Sequence, residues 1–136
     1  YNFVPYGVGD DGFIDYDAFE AKVREVKPKR IYTAYDTKDD LEPLVEMGEK
    51  LRSAGFRPRS HSMCCYVLVG YDGDSFEDAE KRLTQTMQAG FVPYAMLFRD
   101  EEGQTNADWR RFQREWCRPI ITGQKFNEYW ERSNGK

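Results

Sequence analysis

A chain of 136 residues that is 40% apolar and 15% aromatic fits one folded domain and can supply a core, which argues against disorder. Its formal charge of -4 gives no bulk attraction to phosphate backbones, so a nucleic-acid partner would need a local basic patch. No apolar run approaches the roughly 18 residues of a membrane span and no basic stretch leads into an apolar segment, so a cytoplasmic protein without a membrane partner is expected.

Residues 1–8 offer a first strand, weakened by Gly7 and Gly9. Phe13, Tyr16, Phe19, Val23 and Val26 then recur at helical spacing, with Asp15 placed as a cap and Pro28 just past the end, which predicts a helix over 14–27. Residues 30–35 (Arg-Ile-Tyr-Thr-Ala-Tyr) are rich in β-formers and lead through Asp36 and Thr37 into a second helical pattern at Leu41, Leu44, Val45, Met47, Leu51 and Ala54. Pro43 falls in the first turn of that helix and Gly55 is placed to end it. Residues 63–70 are apolar on both faces, as a buried parallel strand requires. A tight turn over 71–75 precedes a third helix marked by Phe76, Ala79, Leu83, Thr86 and Met87 and closed by Gly90. Residues 92–98 form the next strand. The helix expected over 106–117 carries Trp109, Phe112 and Trp116 on one face, with Arg110, Arg111, Arg114 and Arg118 largely off it. A domain over 1–118 followed by a loosely held polar tail over 119–136 is the resulting division.

Ser53-Ala54-Gly55-Phe56 and Gln88-Ala89-Gly90-Phe91 close successive helices in the same way, about 35 residues apart. The expected fold is therefore α/β: three to four consecutive strand–helix units around a parallel sheet, forming a half or partial (β/α) barrel. Right-handed crossovers bring the strand exits Tyr35-Asp36, Tyr71-Asp72 and Arg99-Asp100 to one edge, where ligands of such sheets bind.

Catalytic residues are not legible. His61 is the lone histidine and precedes a strand, and Cys64, Cys65 and Cys117 lack disulfide or zinc spacing and read as reduced thiols. Asp36, Asp39 and Asp40, with Asp72, Asp74, Glu77 and Asp78, could hold a hard divalent cation, but acids at helix N-termini are favoured electrostatically without one, so no metal ligands are assigned. The arginine-rich helix over 106–117 is read as a solvated amphipathic helix, and a nucleic-acid contact is not expected.

The most informative stretch is Val69-Gly70-Tyr71-Asp72-Gly73-Asp74-Ser75, where two glycines allow close approach of the backbone and Ser75 or Asp74 can cap the next helix. It resembles the fifth-strand turn of radical S-adenosylmethionine enzymes, with residues 30–36 and 92–98 resembling the fourth and sixth strands. The likeness runs over about residues 13–118, including Trp109 to Pro119. It implies that Leu68 packs on an adenine, that Gly70, Tyr71 and Gly73 form the turn against it, and that Asp36 reaches polar cofactor atoms. Tyr94, Met96 and Phe98 would line the pocket. The Cys-x3-Cys-x2-Cys run that holds the family's cluster is absent, and the chain begins at Tyr1. The resemblance thus implies a fragment, inactive alone, whose partner is the missing amino-terminal half of a parent carrying S-adenosylmethionine and a four-iron four-sulfur cluster. The alternative is a free-standing flavodoxin-like nucleotide- or protein-binding module without catalysis. A homodimer through exposed sheet edges is a further expectation.

Overall fold

Eight regular elements follow one another in the described part of the structure, a computed structural model that covers residues 16–37, 40–103 and 105–133. They are α1 (Tyr16–Val26), β1 (Ile31–Tyr35), α2 (Leu41–Ser53), β2 (Met63–Val69), α3 (Phe76–Gln88), β3 (Val92–Leu97), α4 (Ala107–Glu115) and α5 (Pro119–Ser133), with a 3-10 turn at Pro58–Ser60. The strand expected over 1–8 and the Asp15 cap lie outside the described residues.

The strands form one parallel sheet in the order β1-β2-β3, not closed into a barrel. Ile31 stands opposite Met63, and Cys64 opposite Val92. Because side chains alternate along a strand, Met63, Cys65, Val67 and Val69 all point to one face, where each is fully buried. There they join Phe19 and Val23 of α1, Leu44, Met47 and Leu51 of α2, and Ala79, Leu83 and Met87 of α3 in a single core. The opposite face holds Tyr32, Tyr66 and Tyr94, whose rings follow one another at 5.7 and 6.2 Å, and it opens toward the carboxyl end, where Tyr66 is 37% and Met96 49% exposed.

The repeated closure of α2 and α3 has one physical basis. Gly55 and Gly90 both adopt left-handed backbone (φ 105° and 99°), which lets the Phe56 amide donate to the Leu51 carbonyl at 3.0 Å and the Phe91 amide to that of Thr86 at 3.1 Å. Phe91 then turns into the core, fully buried.

Residues 119–133 are not a loose tail. They form α5, whose Phe126 is fully buried and whose Trp130 indole donates to the Met87 carbonyl at 3.0 Å. His61 meets Phe126 edge-on and lies 2.8 Å from the Asn127 side chain. The polar composition conceals a stripe at Thr122, Phe126 and Trp130, spaced four residues apart on one helical face. At the outer edge of β3, the Ala95 amide donates to the Trp116 carbonyl at 2.8 Å, and the Gln113 side chain donates to the Ala95 carbonyl at 3.2 Å.

Candidate functional site at the carboxyl edge of the sheet

Since the three strands are parallel, Asp36, the Gly70–Ser75 turn and residues 98–100 leave the sheet at the same edge. The turn is organised by one carboxylate. Asp74 accepts from the amides of Gly70 and Ser75, both at 2.9 Å, and from Arg82 through two parallel bonds of 2.9 and 2.7 Å. Arg82 also donates to the Leu68 carbonyl at 2.9 Å and places its guanidinium 5.0 Å from the centre of the Tyr71 ring. The two side chains are 6% (Arg82) and 1% (Asp74) exposed, so this pair is buried. Burial pushes the Asp74 carboxyl up, but the Arg82 bond, the Gly70 and Ser75 amides and the guanidinium charge together hold it below the ordinary range.

Arg82 was not singled out from the sequence, although a signal exists. It follows Ala79 by three residues and precedes Thr86 by four, so it sits within the apolar stripe of α3, where a cation is expected only with a buried partner. Ser75 takes the capping role, accepting from the Asp78 amide at 3.1 Å. Asp40 does comparable work after β1, accepting from the amides of Asp36 and Thr37 at 2.9 and 3.1 Å. Asp36 is open to solvent, yet partial desolvation, aided by the Asp40 charge, raises its carboxyl above the ordinary range.

The other predicted positions divide into two groups. Leu68 pairs across the sheet with Met96 and Tyr66 with Tyr94, so Leu68, Tyr94 and Met96 share the open face. Burial, and the neighbouring Cys64, lift the Tyr94 phenol, while a bond with Thr122 opposes them. Gly70 has left-handed backbone (φ 81°), and a methyl group there would lie 3.1 Å from both Leu97 Cδ1 and Trp109 Cδ2. Trp109 of α4 thus occupies the close approach at Gly70, and its ring packs against Phe76 at 4.4 Å and Phe112 at 5.4 Å between ring centres. At Gly73 there is open space.

Between the exits of β2 and β3 and the start of α4 lies a cleft of about 310 Å³, lined by Gly70, Asp72, Leu97, Phe98, Asp100, Thr105, Asn106 and Trp109. Asn106 caps α4 with its carbonyl oxygen, accepting from the amides of Asp108 and Trp109, so its NH2 group is not used by the cap. The cleft therefore combines carboxylate acceptors, an amide donor and apolar walls. Among the described residues, no three histidine, cysteine or acidic side chains are grouped so as to hold a metal ion.

No family model matches the chain, and no solved structure matches it. A 54-residue stretch is 43% identical to serine hydroxymethyltransferases of Acidovorax sp. (strain JS42) and Acidovorax ebreus (strain TPSY), and 41% identical to that of Paracidovorax citrulli (strain AAC00-1). The stretch covers 38% of this chain, and the chain spans 13% of the length of those relatives. These likenesses correct the kinship suggested by the Gly70–Ser75 turn, because nothing in them points to a radical S-adenosylmethionine protein. With the kinship go the S-adenosylmethionine and the four-iron four-sulfur cluster expected of a parent. The physical reason is visible in the turn. Its glycine and acid are explained by Trp109 packing and the Arg82 pair, so the motif arises from building a strand-to-helix turn. Among the described residues no helix is long and apolar enough to cross a membrane.

Proposed function

We propose that the chain is a binding module whose ligand, of nucleoside class, seats in the cleft at the carboxyl edge of the sheet. The observation that carries this reading is the cleft itself. Its volume of about 310 Å³ lies at the small end of ligand pockets and suits a base with its sugar. Asp72 and Asp100 offer acceptors to amino and hydroxyl hydrogens, the Asn106 amide offers a donor to a ring nitrogen, and Leu97, Phe98 and Trp109 supply apolar contact. The Asp72 carboxylate repels a phosphate, so a nucleoside is preferred to its nucleotide. The likeness to serine hydroxymethyltransferases covers too little of those enzymes to bring their reaction to this chain.

Calorimetric titration with adenosine and with adenosine monophosphate tests the reading. Adenosine binds the more tightly of the two, and Asp72→Asn weakens it about fivefold, the loss expected for one charge-assisted hydrogen bond on an exposed rim. Absence of heat with adenosine at about 1 mM, a concentration that registers even weak complexes, refutes it.

A further inference from the structure

The opposite, amino-terminal edge of the sheet carries a second cavity, of about 570 Å³, between the ends of α1 and α2 and the entries of β1 and β2. Arg24, Lys27, Lys29 and Arg57 line it, and no carboxylate among the described residues does. That grouping stands out in a chain whose formal charge is -4. Topology creates it. Lys27-Pro28-Lys29-Arg30 leads into β1 and Arg57-Pro58-Arg59 precedes β2, and because these strands are parallel neighbours the two basic tracts meet at one edge.

Among the described residues only Arg24 of the four has a side-chain partner, donating to the Ser53 carbonyl at 2.6 Å and lying 3.8 Å from a Glu20 carboxylate oxygen. Lys27, Lys29 and Arg57 have no side-chain hydrogen bond or ion pair among the described residues. Nor are they needed to satisfy the end of α2, whose Leu51 and Arg52 carbonyls are taken by the Phe56 and Gly55 amides. Lys27 further adopts φ 50°, a left-handed conformation that side-chain-bearing residues seldom take and that glycine would adopt without strain. Cations gathered around a concavity raise the local positive potential and favour the entry of an anion.

The remaining walls define the rest of the guest. Val23, Pro28 and Phe56 are apolar, while Ser60 and Ser62 bring hydroxyls whose oxygens lie 2.7 Å apart. We infer that this cavity is a binding site for a phosphate-bearing small molecule with a compact apolar body, its anionic group met by Lys27, Lys29 and Arg57 and its body resting on Pro28 and Phe56. The site lies about 20 Å from the nucleoside cleft, at the other end of β2, and does not depend on it.

Calorimetry with phenyl phosphate and inorganic phosphate, on the full chain and on the double variant Lys29→Ala with Arg57→Ala, tests the inference. Both substitutions fall on exposed side chains, so thermal melting stays unchanged and reports an intact fold. Phenyl phosphate binds about fivefold more tightly than inorganic phosphate, and the double variant loses about tenfold or more of that affinity. Equal binding by parent and variant, or no binding of either probe, overturns the site. Equal affinity for the two probes overturns the apolar half of the guest. A single-stranded oligonucleotide of about twelve nucleotides held roughly a hundredfold more tightly than phenyl phosphate, through the same residues, overturns the small molecule in favour of nucleic acid.

Discussion

Replacing Asp74 with alanine removes the carboxylate that neutralises Arg82 inside the protein. The variant keeps a guanidinium in a site where it is 6% exposed, leaves it with the Leu68 carbonyl, and strips the Gly70 and Ser75 amides of their acceptor. Breaking one side of a buried ion pair destabilises proteins by about 3–5 kcal/mol, a large fraction of the roughly 5–15 kcal/mol that holds a domain folded. For a chain of this size the melting temperature should fall by roughly 10–20 °C. Urea denaturation of Asp74→Ala, Arg82→Met and the double variant closes a mutant cycle. Removing both charges should recover much of the loss, giving a coupling energy of about 2 kcal/mol or more. A single-variant loss below about 1 kcal/mol, or strict additivity in the cycle, would refute the reasoning. The pH dependence has a definite sign. The folded-state carboxyl lies below its unfolded value of 3.8, so the stabilisation is fully present above that pH and is lost as acid carries the solution down through the folded value.

Gly70→Ala should lose about 1–3 kcal/mol in the same denaturation assay, since the new methyl group meets Leu97 and Trp109 in a backbone conformation suited to glycine. Phe126→Ala is expected to lower stability by about 3–5 kcal/mol, as for any large aromatic removed from a core, and a loss under about 1 kcal/mol would show that α5 is only loosely attached. With a thiol reagent at neutral pH, the partly exposed Cys117 should react first. Cys64 and Cys65 are buried, and burial raises both thiols, so they should label only as the protein unfolds.

The fold was readable because local and global signals agree. Residues 63–70, apolar on both faces, became β2; the paired glycine closures marked the ends of α2 and α3; and Ser75, three residues before Asp78, capped as its type prefers. What escaped was long-range. Arg82 and Asp74 are eight residues apart, and no local pattern says that a turn acid will fold back beneath an arginine on the next helix. Gly70 is a second case. Its glycine announces a close approach without saying whether a ligand or Trp109, from an element far along the chain, will make it. The basic cavity is a third, since its cations come from two tracts that become neighbours only when β1 and β2 pair.

One feature of β3 bears on how these molecules meet each other. Outward-facing backbone groups alternate along a strand, so the Ala95 amide that faces Trp116 shares its side with residue 93. That residue is proline and has no hydrogen to give. A foreign strand approaching this flank finds one donor missing and the next already engaged, so the sheet is protected there against templated growth.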